Sequence, residues 1–193
     1  IVQVGDTLIG HSGNVNDPAF RLKVNDDGSF TFTLLKPLDH VAGNDENDLN
    51  LAFKVTATDK DGDSASGIIN VLVDDDSPTI SSTTSVTVDE DGLPGGIAGG
   101  IGDVAGTATV ASGSLNIKFG ADGKGSLAIA LDPTSDAPKL AGSNTPLTLV
   151  QVGDTLIGHS GNVNDPAFKL KVNDDGSFTF TLLKPLDHPA GGN

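Results

Sequence analysis

The chain has 193 residues, a formal net charge of −15, and no Cys, Met, Trp or Tyr. Without cysteine, disulfide scaffolds, thiol enzymes and cysteine-built zinc sites are excluded. The acidity opposes binding to nucleic acid or anionic lipid, and no apolar run nears the ~20 residues that span a bilayer, so no membrane insertion is expected of this segment.

Of the 26 acidic residues only Glu46 and Glu90 are glutamate. Aspartate favours turns and caps, and it is a frequent Ca²⁺ ligand from loops. The excess therefore points to an all-β protein with acidic loops. In chain order, residues 19–24 and 29–34 alternate apolar and polar, which predicts strands. Asn25-Asp26-Asp27-Gly28 between them is a hairpin turn signal. Residues 49–58 and 66–73 read as two further strands, joined by Asp59-Lys60-Asp61-Gly62-Asp63. After Pro78, strands are expected at 85–88, 106–110, 115–119, 127–131 and 147–150. Others follow near 155–158, 167–172 and 177–183. Many short strands at this spacing argue for a β-sandwich.

The sequence also repeats itself. Val2 to Gly43 returns as Val150 to Gly191, an offset of 148, and only Arg21/Lys169 and Val41/Pro189 differ. Solenoid repeats are far shorter, about 20–50 residues, so the expectation is a tandem array of whole domains, with this chain cut from a longer one. Catalysis seldom needs near-identical copies in series, whereas mechanical reach or avidity does. A boundary is expected at Asp74-Asp75-Asp76-Ser77-Pro78, because Pro78 cannot continue a strand ladder. That gives 1–77 as the C-terminal portion of one repeat and 78–193 as the N-terminal portion of the next. The second portion has no counterpart of residues 46–77, including two apolar strands. Their loss is expected to leave an unpaired edge on the second lobe. The first lobe or strand exchange with a neighbouring copy would cover it.

The candidate site follows from charge. From Asp59 to Asp91 there are nine carboxylates and one cation, Lys60. They fall in three groups: Asp59, Asp61 and Asp63; Asp74, Asp75 and Asp76; and Asp89, Glu90 and Asp91. Alternate residues in the first loop can aim carboxylates at one centre, with Gly62 allowing the turn. Ca²⁺ takes six to eight oxygens and suits such loops better than Mg²⁺. Glu46, from Asp45-Glu46-Asn47-Asp48, is a candidate to complete the 59–63 site, and Asp103 is a further candidate. Asp122 and Asp26-Asp27 read as turn residues, and 95–106 as a glycine-rich connection. The four histidines are two positions seen twice, His11/His159 and His40/His188. With no cysteine and no G-x-S-x-G serine beside them, they read as structural, and no enzyme activity is expected.

Phe30-Thr31-Phe32-Thr33-Leu34-Leu35-Lys36-Pro37-Leu38-Asp39-His40, the Asp59–Ser64 loop and Val73-Asp74-Asp75-Asp76-Ser77-Pro78, in this order, resemble the tandem domains of giant RTX adhesins. Those are type I-secreted surface proteins of Gram-negative bacteria. The resemblance implies immunoglobulin-like β-sandwich units in a tandem array. They would act as an extracellular extender that holds a ligand-binding tip away from the cell for attachment and biofilm formation. It implies Ca²⁺ at the junctions, held by Asp74, Asp75, Asp76 and Glu90, with a loop site at Asp59, Asp61 and Asp63. Neighbouring identical repeats would be the partners. The alternative is a ligand-binding adhesion module for glycan or protein. At about 148 residues the repeat is longer than the usual ~100 of an immunoglobulin domain.

Overall fold

A computed structural model describes all residues except 42, 44, 45, 82, 83, 100–102, 104, 105, 107 and 189–193. The protein is all-β, with several antiparallel sheets; its one helical element among the described residues is the 3-10 turn Glu90–Gly92. Among the described residues no helix is long and apolar enough to cross a membrane. The chain divides into two compact units, Ile1–Ser77 with Phe119–Gly123, and Pro78–Lys118 with Lys124–Asn193. The sequence boundary at Ser77/Pro78 did not foresee that residues 119–123 pack with the first unit.

In the first unit, β1 (Val2–Val4), β2 (Thr7–His11), β3 (Pro18–Val24) and β4 (Phe30–Leu34) form an antiparallel meander in that order. Period-two alternation sorts the faces. Leu8, Leu22 and Phe32 lie opposite one another across the ladders, and Ile9, Arg21 and Thr33 form the row on the other face. The β3–β4 turn is closed by Gly28, which has φ +82° and donates its N–H to the Asn25 carbonyl at 2.9 Å. That conformation is cheap for glycine alone. Asp27 steadies the turn by accepting from the Ser29 amide and hydroxyl, at 2.9 and 2.6 Å.

β5 (Leu49–Thr58) and β6 (Ser64–Val73), ten residues each, form a hairpin that pairs with no other strand among the described residues. It is tied to the meander by rings: Phe53 lies 5.7 Å from Phe20 and 6.2 Å from Phe32, centroid to centroid. These contacts belong to a face.

The second unit contains the same meander. β7 (Thr79–Ile80) pairs with β9 (Ile117–Lys118). β8 (Val110–Ser114) joins a five-stranded sheet in the order β10-β11-β12-β13-β8. Here β10 is Thr148–Val152, β11 Thr155–His159, β12 Pro166–Val172 and β13 Ser177–Leu182. The two meanders share register down to the bulge, at Gly10/His11 and at Gly158/His159. Leu147, Ala167 and Phe168 centre the core, with Leu140, Leu149, Phe180 and Leu186 packed around them. Phe168 stacks on Phe180 with centroids 5.3 Å apart, and its ring fills the space where a side chain on Gly158 would begin.

Two expected strands are absent. Residues 85–88 run without a ladder, as do 127–131. The latter is held by one side chain: Gln151 Oε1 accepts from the Ile129 N–H at 2.9 Å, and Gln151 Nε2 donates to the Leu127 carbonyl at 2.8 Å. The expected strands at 106–110 and 115–119 shift to Val110–Ser114 and Ile117–Lys118.

Candidate metal centres

Among the described residues, three groups of carboxylates, each with ligand oxygens within 4.8 Å of one another, could hold a metal ion. The first is Asp59, Asp61 and Asp63, all exposed, in the β5–β6 turn. Asp59 organises that turn. Its Oδ1 accepts from the Gly62 and Asp63 amides at 3.0 and 2.8 Å, and its own N–H donates to the Asp63 carbonyl at 2.9 Å. A hydrogen bond with Asp61, helped by those amides, holds Asp59 below the usual carboxylate range. Gly62 has φ +103°, which lets the chain bring alternate aspartates to one side.

The second group joins Asp75 and Asp76 to Asp122, still within the first unit. Asp76 Oδ2 accepts from the Ala121 N–H at 2.7 Å. Gly120, at φ +77°, leaves no room for a Cβ against the same carboxylate. Asp122, read from sequence as a turn residue, is therefore carried to Asp75 and Asp76 by a contact across 45 positions.

The third group, Asp89, Asp91 and Asp103, lies in the second unit. Asp89 caps the 3-10 turn, its Oδ1 accepting from the Asp91 N–H at 2.9 Å. Its Oδ2 is out of contact with solvent and has no hydrogen-bond partner among the described residues. Burial, then the charges of Asp89 and Asp103, push the Asp91 carboxyl up, and a hydrogen bond from the Gly99 amide opposes that rise. Carboxylates crowded in this way repel one another unless a cation or protons neutralise them.

The remaining candidates go elsewhere. Asp74 and Glu46 join none of the three groups, and Asp45 lies outside the described residues. Glu90 Oε1 accepts from the Leu186 N–H at 2.6 Å and lies 3.2 Å from His188 Nε2. It ties the loop after β13 to the 3-10 turn, a structural role that its place among aspartates did not suggest. His40 Nδ1 lies 2.9 Å from the Asn47 carbonyl oxygen and fixes the loop after β4.

The shifts give a pH test in metal-free solution. Asp91 has a raised folded pKa, so its contribution favours the folded second unit in acid. That contribution is lost as pH rises from the ordinary 3.8 through the raised value. Asp59 has the opposite sign: its contribution is present above 3.8 and lost as pH falls through its lowered folded value. We expect Asp91→Asn to gain on the unsubstituted chain as pH rises through the window just above 3.8. Urea melts in EGTA at stepped pH check this, and parallel stability curves would contradict it.

The fold and the site together define an all-β protein with repeated meanders and clustered aspartate loops. A family model described as a domain of unknown function (DUF5801) matches residues 1–72 and 81–193, and the chain belongs to that family. No curated protein and no solved structure matches the chain.

Proposed function

We propose that this chain is a Ca²⁺-stiffened spacer from the surface of a Gram-negative bacterium. Its immunoglobulin-like sandwiches, repeated in tandem, would hold a distal ligand-binding region of an adhesin away from the cell. It would work without catalysis. The observation that carries the metal is Asp89 Oδ2, a carboxylate oxygen hidden from water with no described donor, in a group with Asp91 and Asp103. A buried carboxylate oxygen without a donor is costly, and a cation removes the cost. Clustered carboxylates on turns suit Ca²⁺, which accepts many oxygens in flexible geometry; Mg²⁺ keeps its water and needs fewer.

The packing of Phe53 edge-on against Phe20 and tilted against Phe32 supports a sandwich, since it brings the hairpin onto a face of the meander. The near-identity of residues 2–43 and 150–191 supports a spacer over a ligand-specific module, because a binding patch need not be copied. The second triad adds a mechanical element. Asp75 and Asp76 lie at the end of the first unit's continuous segment, and Asp122 comes from a distant stretch, so an ion there would clamp that end. Small-angle scattering on a chain of several repeats tests the stiffening. The expected result is a maximum dimension that shortens in EGTA and recovers with added Ca²⁺. Curves that superimpose in the two conditions would overturn the role.

A further inference from the structure

Residues 119–123 lie between two stretches of the second unit, yet they pack with the first. The pairing that opens the second unit explains where they go. Thr79 pairs with Lys118 and Ile80 with Ile117, antiparallel. Counted back in that register, Asp76 comes opposite Ala121 and Asp75 opposite Asp122. Those are the partners found: the Ala121 N–H donates to Asp76 Oδ2 at 2.7 Å, and Asp122 joins Asp75 and Asp76.

The segment fits its place closely. Gly120 has φ +77°, and a Cβ there would lie 2.3 Å from Asp76 Oδ1. A side chain at 120 would push that carboxylate off the Ala121 amide, in a backbone conformation that already disfavours one. Phe119 is partly buried. Ala121 and Asp122 line a cavity of about 120 Å³ together with Leu34, Pro37 and Val73. Val73, at the end of β6, is 6% exposed. All of these residues belong to the first unit. The bond from the Ala121 amide to Asp76 needs no cation.

We propose that residues 119–123 are a lent segment: they complete the end of the first unit, whose stability is therefore set partly by residues from the second repeat portion. The partner of the Asp74–Asp76 end is a short turn, Phe119-Gly120-Ala121-Asp122-Gly123. It is recognised by a carboxylate that accepts from a backbone amide, with glycine required beside that amide. The register also fixes which copy of the turn is used, since it follows from the pairing of residues 79 and 80 just beyond Asp76. In the tandem array of the proposed function, on which this extension rests, each unit would be closed by the repeat that follows it. A repeat cut out at Ser77/Pro78 would lack the segment that completes it. The unit that folds is thereby offset from the unit that repeats.

The test places Gly120→Ala in the full chain, in EGTA so that no ion contributes, and follows amide exchange. Exchange in 70–76 is expected to speed about tenfold, the order of effect for losing a hydrogen bond to a charged acceptor. Exchange in 148–159, within the second unit, should hold its rate. Gly125→Ala is the control. Its Cβ would meet nothing within 4 Å and its backbone is not left-handed, so both regions should keep their rates. Asp76→Ala separates the contact from strain at 120: on that background Gly120→Ala should add less than about threefold. Speeding confined to 148–159, or no change in either region, would overturn the proposal. So would a full tenfold effect of Gly120→Ala without the Asp76 carboxylate, or an equal effect of Gly125→Ala. The assay uses this chain without metal, so unchanged scattering curves from several repeats would leave its result standing.

Discussion

Removing Ca²⁺ is expected to lower the melting temperature of both units, and it should be the largest effect available without changing a residue. An ion that binds only the folded state stabilises it by about 2.7 kcal/mol when its free concentration is 100 times Kd. A unit of this size shifts by roughly 4 °C or more per kcal/mol. One occupied triad therefore predicts a fall of about 10 °C in EGTA. The first unit, which holds two of the three triads, should fall further than the second. The cause is electrostatic: without a cation, each unit must fold against the repulsion of its own carboxylates. Sodium chloride at matched ionic strength should recover only a little, because screening weakens repulsion but does not coordinate the oxygens. Circular dichroism melts in Ca²⁺, EGTA and NaCl check this. Superimposed melts in Ca²⁺ and EGTA would remove the basis for the metal.

Phe168→Ala should destabilise the second unit by about 3–5 kcal/mol, the range for emptying a buried aromatic site. Phe168 is 6% exposed, stacks on Phe180 and fills the notch left by Gly158. The surrounding ladders on β11 and β13 fix the backbone, so the cavity cannot collapse freely. Gly158→Ala attacks the same contact from the other side, pushing a methyl group into the ring, with overpacking costs of about 1–3 kcal/mol. Because the substituted residues lie in one unit, tryptic susceptibility should rise in fragments of the second unit and stay unchanged in the first. A loss below about 1 kcal/mol for Phe168→Ala would show that this ring does not anchor the core.

Much of the fold was legible because its information is local. Alternation at 19–24 and 29–34 and the Asn25–Gly28 turn specify a hairpin wherever they occur, and the same residues build the same hairpin twice. The Asp59–Asp63 loop was legible for the same reason, since all its ligands lie in one turn. What failed was non-local. Nothing near Asp122 announces Asp75 and Asp76; the link is the Ala121 amide meeting a carboxylate from residue 76. Glu90 shares its neighbourhood with two aspartates, but its longer side chain reaches the Leu186 amide instead. Residues 127–131 alternate like a strand, but Gln151 holds them through its side-chain amide without a ladder. The pairing of β8 with β13 joins residues more than sixty positions apart, and alternation alone cannot choose a partner.

Whether these aspartate groups hold Ca²⁺ is decided most directly at Asp89. Asparagine at 89 keeps the Oδ1 that accepts from the Asp91 amide and removes the negative charge shared with the unpartnered Oδ2. Calorimetric titration of Ca²⁺ into chelator-treated chain, with and without Asp89→Asn, gives the measurement. Three ions are expected for the unsubstituted chain, one for each carboxylate group, and one fewer for the variant. In EGTA the variant should be at least as stable as its parent. An identical stoichiometry and heat for the two proteins, or no heat for either, would contradict the Ca²⁺ assignment.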